Sequence, residues 1–242
     1  MSKWFMRSKG LYVAMALLAG SAAVQADYAP FQGYVEMPQT LSPMIMGNLA
    51  SENLRLINEQ NARGGGKATT AAAAKGVTIA PGSASTTTPR VLAARYPTTQ
   101  RAQIEQAFSE SLRSYRQIEA KFGIPSNDVA GAVAAFLAGS YMAYRDVDFP
   151  DRNFSTLVAQ MRNVLASNPA FQRASAAEKR EVYEQMAIIG TFMAVTREAL
   201  KRQPPNATVA QNFRESARAN LEQFLKTDAS RVTINEQGLV IR

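Results

Sequence analysis

The sequence predicts a mainly α-helical protein, an orthogonal or up-down bundle of about five helices that ends in a short C-terminal β-hairpin. The first reason is an uncharged run from Val129 to Tyr144, which is apolar on nearly all sides of a helix. The second is that segments with an apolar period near 3.6 lie on both sides of this run. The third is the change after residue 231 to short β-branched runs around a glycine.

The uncharged run is the predicted central helix. Asn127 or Ser126 is placed to cap its N-terminus, and Asp128 favours the positive end of the helix dipole. Small residues recur at every fourth position and form one smooth stripe: Gly131, Ala135, Gly139 and Ala143. Because such a stripe lets another backbone approach closely, we expect a second helix to pack directly on it.

The helices on either side of the central helix have recognisable ends. The first is expected to open at Pro97 and Thr98 and to stop at Gly123, because glycine readily adopts the left-handed conformation of a helix C-terminus. The third is expected to end at Asn168-Pro169, since proline does not continue a helix.

A long fourth helix, a fifth helix and the hairpin complete the predicted bundle. Ser175 and Glu178 form a capping box that starts the fourth helix. This helix is thin around Gly190, so we expect it to face the small-residue stripe. A Pro-Pro pair separates it from the fifth helix, and the hairpin spans Val232–Ile241 with Gly238 in its turn.

Residues 1–26 are predicted to be a secretory signal peptide. Lys3, Arg7 and Lys9 precede an apolar run of eight residues, and small residues follow up to Ala26. Signal peptidases recognise this order of basic, apolar and small-residue regions, so we expect cleavage after Ala26. The expected location is periplasmic or secreted, with no stable transmembrane anchor after cleavage.

The remaining chain divides into three predicted parts. Residues 27–62 form an N-terminal arm, irregular at first and with a short helix from Met44 to Ala62. Residues 63–95 are a flexible linker, because their low-complexity runs bury too little apolar surface to offset the entropy of ordering them. Residues 96–242 form the helical bundle domain with its hairpin.

Charge and composition exclude several classes of protein. The formal net charge of +8 falls to +5 without the signal peptide, which holds three basic and no acidic residues. The remaining charges of both signs are interspersed, so no nucleic-acid partner is expected. The chain has no cysteine and no histidine, which excludes a thiolate nucleophile, a Ser-His-Asp triad and the usual zinc or haem ligands. We therefore predict no catalytic residue, no cofactor and no metal ligand.

Two features of the helical part carry a family resemblance. One is the Gly131–Tyr144 stripe with Arg145-Asp146 directly behind it, and the other is the terminal hairpin with Gly238. On these features the segment from Tyr96 to Arg242 resembles a family of exported bacterial helical domains of unknown function. The resemblance implies no reaction, cofactor or catalytic residue.

Carboxylates are the only well-represented acid/base groups. Glu110-Ser111 and Glu215-Ser216 repeat the Glu-Ser dipeptide of lysozyme-like transglycosylases, but arginines lie beside both, which favours solvated helix faces. Asp146, Asp148 and Asp151 cluster between two helices without the glycine and glutamate of an EF-hand loop. We expect capping and ion pairing there, with cation binding as the alternative.

The arm is the expected partner-binding segment. Its candidate contact residues are aromatic residues and methionines, which suit adaptable contact surfaces: Tyr28, Phe31, Tyr34, Met44 and Met46. In the bundle, Tyr141, Tyr144 and Tyr183 are candidates for lining a small pocket at one end. The alternative is that these three rings simply fill the core.

The expected function is a non-enzymatic interaction or binding protein of the cell envelope, with an envelope protein or cell-wall component as its partner. One alternative is a carboxylate-based cell-wall glycosidase or lytic transglycosylase. The other is a membrane-active helical domain. Residues 128–144 span only about 25 Å as a helix, short of the ~30 Å hydrocarbon core, which favours a core helix.

The predicted signal peptide gives a direct test. When the full chain is expressed in a bacterium with a Sec export system, we expect the exported protein to begin at Asp27, because cleavage follows Ala26. Intact-mass spectrometry and N-terminal sequencing measure this. A chain recovered from the membrane fraction with Lys3 still attached would contradict the prediction.

Overall fold

The computed structural model describes residues 50–62, 77–82, 87–202 and 207–242. Within these ranges the chain forms eight α-helices and a two-stranded antiparallel hairpin, which confirms the predicted fold class. The helices are α1 (Ala50–Ala62), α2 (Thr88–Ala93), α3 (Arg101–Lys121), α4 (Val129–Arg145), α5 (Asp151–Ser167), α6 (Pro169–Arg173), α7 (Ala176–Arg202) and α8 (Ala207–Leu225). A 3₁₀ turn at Ala229–Arg231 leads into β1 (Val232–Asn235) and β2 (Gly238–Ile241).

Helix α4 is the centre of the bundle, as the uncharged run predicts. All its residues are buried except three near its C-terminal end, Tyr141, Tyr144 and Arg145. Helices α5, α7 and α8 pack around it, and α7 makes the most extensive contact. Exposing apolar surface to water costs free energy, so a helix that is apolar on nearly all sides is most stable when other helices enclose it.

Helices α4 and α7 touch backbone to backbone. A Cβ atom added to Gly139 would lie 2.0 Å from the carbonyl oxygen of Gly190, and one added to Gly190 would lie 2.4 Å from the carbonyl oxygen of Ala135. The expected packing of the fourth predicted helix on the small-residue stripe is thereby confirmed. The stripe is divided, however, because Gly131 faces the hydroxyl of Tyr115 on α3 instead.

The two helices run in the same direction. Near their starts, Arg180 of α7 donates a hydrogen bond of 2.8 Å to the side chain of Asn127. Near their ends, Arg197 of α7 donates one of 3.0 Å to Asp146, the residue after α4. The starts of α4 and α7 therefore lie side by side, and so do their ends.

Two predicted helix starts are wrong by a few residues. Helix α3 begins at Arg101, because residues 97–100 form turns before it. The N-cap of α4 is Asp128, whose carboxylate accepts a hydrogen bond from the amide of Ala130. Asn127 cannot take this position because it has a positive φ of 66° and its carbonyl accepts from Ala80. The capping box of α7 is confirmed, with Ser175 and Glu178 each accepting the other's amide hydrogen.

Described parts of the predicted linker belong to the core. The amide of Ala80 donates to Asn127 and the amide of Val129 donates to Thr78, at 2.9 and 3.0 Å. Leu92 on α2 is 1 % exposed, and the hydroxyl of Thr88 donates to the carboxylate of Glu184 on α7. The expectation of a flexible linker from 63 to 95 is therefore wrong for residues 77–82 and 88–93.

Helix α1 also packs on the bundle. It contacts α5, α8 and β2, and its Leu56 and Ile57 are buried. The side-chain amide of Asn168 donates a hydrogen bond of 2.9 Å to Asn53 in a buried position. Residues up to 49 lie outside the described ranges, but the described end of the predicted arm is part of the folded core.

The hairpin has the predicted position, with Asn235 paired to Gly238 across its turn. The side-chain amide of Gln160 on α5 donates to the carbonyl of Leu239 at 2.9 Å and accepts from its amide at 2.7 Å. A Cβ atom on Gly238 would lie 2.5 Å from the Gln160 oxygen, and the φ of Gly238 is +95°. Glycine at this position therefore permits both the turn and the contact with α5.

The Gly139–Gly190 contact predicts a large effect of one methyl group. Gly139→Ala should lower the free energy of unfolding by about 1–3 kcal/mol or more, because the added carbon would meet backbone atoms of α7 that have no room to move aside. Urea denaturation followed by circular dichroism measures the change.

Gly131→Ala is the matched control on the same helix. Its added carbon would meet the side chains of Tyr115 and Ile124, which have rotatable bonds, so a smaller loss is expected. Equal losses for the two variants would mean that backbone contact between α4 and α7 has no special importance.

Candidate functional site

Buried polar side chains converge on the N-terminal end of α4. We call this group, of which Arg162 alone is partly exposed, the buried polar cluster: Thr78, Tyr115, Glu119, Asp128, Arg162, Arg180 and Tyr183. Several elements contribute to it, namely residues 77–82, the end of α3, α5 and the start of α7. A helix N-terminus leaves amide groups unpaired, so polar partners are needed wherever such an end is enclosed.

Asp128 is the cap at the centre of this cluster and has no exposed surface. Its carboxylate accepts hydrogen bonds from the amide of Ala130 at 3.1 Å and from the hydroxyl of Thr78 at 2.7 Å. Arg162 on α5 donates to its other oxygen at 2.7 Å. The charge of Asp128 is therefore paired and hydrogen-bonded, as a buried charge must be.

Glu119, at the end of α3, is the second buried carboxyl group, with 3 % of its surface exposed. It accepts hydrogen bonds from the hydroxyl of Tyr183 at 3.0 Å and from the amide of Asn127 at 3.1 Å. Burial raises the pKa of Glu119 to about 7, although these two hydrogen bonds act in the opposite direction. The nearby charge of Asp128 raises it further. Glu119 therefore exchanges a proton near neutral pH.

Tyr115 lies beside this acid. Its ring meets that of Tyr183 edge-on at 5.9 Å between centroids, and it has no exposed surface. Its hydroxyl has no hydrogen-bond partner among the described residues. Burial raises the pKa of both tyrosines, so both stay neutral over the range in which Glu119 titrates.

Arg180 closes the outer side of the cluster. Its guanidinium donates to the carbonyls of Ala80 and Pro81 at 3.0 and 2.7 Å, and to the side chain of Asn127. These bonds tie residues 77–82 across the ends of α3 and α4. The arrangement stores a proton on Glu119, but a large substrate would have to displace this covering segment to reach either carboxylate.

The three candidate tyrosines do not meet at one end of the bundle. Tyr183 belongs to the buried polar cluster, whereas Tyr141 and Tyr144 lie on the last turns of α4 and are partly exposed. The 17 residues of α4 span about 25 Å, which separates the two groups. Tyr144 instead stacks with Arg145, whose guanidinium lies 5.1 Å from the ring centroid.

A small cavity of about 50 Å³ lies next to the Gly139–Gly190 contact. Its lining comes from α3, α4, α5, α7 and the loop before α5, and it is almost entirely apolar: Ile118, Phe122, Ala135, Ala138, Gly139, Met142, Phe149, Asp151, Phe154, Gly190, Thr191 and Ala194. None of the three candidate tyrosines is among these residues. Gly139 and Gly190 both belong to this lining, so the cavity lies against the point where the two backbones meet.

The acidic groups considered from the sequence have cationic or polar partners. Glu215 pairs with Arg218 at 2.8 Å on an exposed face of α8, and Glu110 accepts from Gln106 on α3. Between α4 and the first residue of α5, the acids pair with bases on other helices: Asp146 with Arg197, Asp148 with Arg197 and Lys201, and Asp151 with Lys121. Hydrogen bonds from Lys201 and then Arg197 lower the pKa of Asp148.

The described residues offer neither a cluster of metal ligands nor a helix suited to crossing a membrane. No three acidic side chains in the described part of the chain are arranged to hold a metal ion. Among the helices of these same residues, none combines the length and apolar character needed to cross a bilayer. The candidate partner-binding residues Tyr28, Phe31, Tyr34, Met44 and Met46, and the predicted signal peptide, lie outside the described ranges.

A family model described as a family of unknown function, DUF6683, matches residues 7–242. The chain belongs to this family. The match confirms the expected membership of a family of unknown function. It covers residues 7–242 and so extends well beyond the segment from Tyr96 to Arg242 that carried the resemblance. No curated protein and no solved structure shows significant similarity to the chain.

Sequence reasoning missed Glu119 as a site residue, although a signal was present. Glu119 follows Tyr115 by four positions and Leu112 by seven, so it lies on the buried face of α3. A charged residue on such a face needs partners, and these come from Asn127 and Tyr183, which are distant in sequence.

The raised pKa of Glu119 predicts how stability depends on pH. The folded state holds the proton up to about pH 7, whereas an unfolded glutamate releases it near 4.5. The contribution of Glu119 to the free energy of unfolding is therefore fully present below about pH 4.5 and is lost as pH rises through about 7. Because the chain has no histidine, no imidazole masks this fall.

Glu119→Gln should flatten the profile by removing the titration. From pH 5 to pH 8, the free energy of unfolding of the unaltered protein should fall by roughly 1–3 kcal/mol more than that of the variant. Chemical denaturation across this range measures it. Glu215→Gln, on an exposed face, serves as the control and should leave the profile unchanged. Parallel profiles for unaltered protein and Glu119→Gln would contradict the prediction.

Proposed function

We propose that this DUF6683 chain is an exported cell-envelope binding protein that acts without catalysis. In this proposal residues 27–49 contact an envelope protein or cell-wall component, and the helical bundle is the scaffold that holds them. The observation that carries the proposal is the packing of α1 on the bundle, because α1 begins directly after these residues.

The contacts of α1 supply a fixed attachment point. Leu56 and Ile57 are 8 % and 0 % exposed, and Asn53 accepts the buried hydrogen bond from Asn168. Aromatic and methionine side chains provide much of the binding energy and adaptability of protein interfaces, and this segment contains several: Tyr28, Phe31, Tyr34, Met44 and Met46.

Export is supported by the N-terminal sequence, and the core can stand in an oxidising compartment without disulfides. The basic, apolar and small-residue regions of residues 1–26 follow the order of a signal peptide. A chain without cysteine gains nothing from disulfides in an oxidising compartment. The large buried core around α4 supplies the stability that small exported domains otherwise draw from disulfides.

The glycosidase alternative receives less support from the carboxylates. A glycosidase needs two carboxyl groups on either side of a bound sugar, in a cleft that a polysaccharide enters. Glu119 has the raised pKa of a catalytic acid, but Glu119 and Asp128 are buried and bonded to Tyr183, Thr78 and Arg162. For the membrane-active alternative, α4 would have to leave its contacts with α5, α7 and α8.

A five-residue variant of the arm tests the proposal. Replacing the five candidate contact residues with alanine should abolish the crosslinks that the unaltered protein forms in the envelope of its native host; they are Tyr28, Phe31, Tyr34, Met44 and Met46. Crosslinking with mass spectrometry measures this. The melting temperature should stay nearly unchanged, because α1 and the bundle keep all their described contacts. A deletion used for the same purpose must stop before residue 50, since removing α1 would uncover the core.

The matched control carries Tyr141→Phe and Tyr144→Phe, two tyrosine changes on the partly exposed end of α4. This control should form the same crosslinks as the unaltered protein. Crosslinks that survive the five-residue variant would overturn the role of the arm. Clearing of isolated cell-wall sacculi by the purified protein would overturn the assignment as a non-enzymatic protein.

A further inference from the structure

We propose that the N-terminal ends of α4 and α7 form a docking groove for an extended peptide segment of a partner protein. The chain's own residues 77–82 occupy this groove, and the partner segment binds by displacing them. We call residues 77–82 the resident segment. The inference concerns the bundle alone and does not depend on the role proposed for the arm.

The resident segment lies antiparallel to the residues that start α4 and pairs with them through its main chain. The amide of Ala80 donates to the carbonyl of Asn127 at 2.9 Å, and the amide of Val129 donates to the carbonyl of Thr78 at 3.0 Å. Proteins that bind peptides by strand addition use bonds of this kind, because every extended peptide presents the same main-chain groups. The pairing therefore recognises an extended conformation more than a particular sequence.

Arg180 extends this main-chain recognition along the resident segment. Its guanidinium donates to the carbonyls of Ala80 and Pro81 at 3.0 and 2.7 Å, and also to the carbonyl of Gly82. One planar group thus binds three consecutive carbonyls, which the several donors of a guanidinium permit. None of these three bonds uses a side chain of the resident segment.

Two side chains of the resident segment determine which sequences fit. Thr78 and Ala80 are 0 % and 1 % exposed, whereas Val77 is 41 % exposed. The hydroxyl of Thr78 donates to the carboxylate of Asp128 at 2.7 Å, and the buried position of Ala80 holds a single methyl group. Alternate side chains of an extended chain face the same side. We therefore expect a partner segment with serine or threonine followed two positions later by alanine.

The groove keeps its shape without the resident segment, because each of its polar groups has another partner in the bundle. The carboxylate of Asp128 also accepts from Arg162 at 2.7 Å. The amide of Asn127 donates to Glu119 at 3.1 Å, and the side chain of Asn127 accepts from Arg180 at 2.8 Å. A site that is already ordered binds without the free-energy cost of ordering it.

Exchange of the resident segment for a partner segment is close to neutral in free energy. A partner segment of matching sequence forms the same hydrogen bonds and buries the same two small side chains, so only the attachment to the chain favours the resident segment. That attachment gives an effective concentration on the order of millimolar. A free peptide therefore competes at millimolar concentration, and it binds more tightly once the resident segment is weakened.

The test uses the full chain with Ala80→Asp, which places a charge in a buried position and so displaces the resident segment. The probe is a synthetic peptide with capped ends that copies residues 76–82, Gly-Val-Thr-Ile-Ala-Pro-Gly. Isothermal titration calorimetry should show saturable binding of one peptide per chain. Apparent binding to the unaltered protein should be at least tenfold weaker, because its own segment competes.

Matched controls examine the two kinds of recognition. A peptide with Thr78→Val has the same shape but lacks the hydroxyl, and should bind at least tenfold more weakly because a hydrogen bond to a charged group is lost. Arg180→Gln, added to the Ala80→Asp chain, should weaken binding by a similar factor. Arg173→Gln removes the same charge from an exposed position on α6 and should leave binding unchanged.

Several results would overturn the proposal: no saturable binding, equal binding to the unaltered and Ala80→Asp chains, equal binding of the two peptides, or equal effects of the two arginine variants. If Ala80→Asp does not fold, the unaltered protein with carbon-13-labelled alanine methyl groups decides the matter. Several millimolar peptide should move the Ala80 signal to the position of an exposed alanine, while the signal of Ala187, buried in α7, stays in place. An unmoved Ala80 signal would reject the groove.

Discussion

The contact between the backbones of Gly139 and Gly190 is the constraint on which the rest of the bundle depends. It brings α4 and α7 so close that a single methyl group at either glycine would overlap the other helix. With these two helices in contact and parallel, their N-terminal ends lie side by side. Asn127 then reaches Arg180, and Asp146 at the other end reaches Arg197. The small apolar cavity lies beside the same contact.

Enclosing α4 also requires that its polar N-terminal end be enclosed. Hydrogen bonds reduce the free-energy cost of burying that end. Thr78 and Arg162 donate to the cap Asp128. Tyr183 and the amide of Asn127 donate to Glu119. Two carboxyl groups then share one water-poor region. One is neutralised by a guanidinium, and the other holds its proton up to near neutral pH. Acid/base character here is thus a consequence of packing and needs no substrate to explain it.

The parts of the fold that the sequence predicts are those determined by neighbours in the chain. The capping box of Ser175 and Glu178, the hairpin around Gly238 and the small-residue stripe with Gly139 each depend on residues a few positions apart. The parts that it misses depend on distant residues. Residues 77–82 look like low-complexity linker, yet they pair with residues near 128.

The candidate site is also hard to predict from the sequence, because its residues are distant from one another in the chain. Tyr183 and Tyr144 appear to be companions if α4 and α7 are assumed to run in opposite directions. Their parallel orientation places these two side chains at opposite ends of the bundle. Glu119 is recognisable as a charged residue on the buried face of α3, but its acidity depends on partners that only the folded chain brings near. The arm residues before 50 remain a sequence-based proposal.

The position of α1 has a consequence for the order in which the molecule assembles. The surface that α1 covers is built from α5, α8 and β2, all of which come later in the chain. A polypeptide is synthesised from its amino end, so α1 emerges long before its docking surface exists. Contacts of such large sequence separation close slowly. The first helix of the described ranges is therefore among the last to be fixed, and until then Leu56 and Ile57 are available to chaperones.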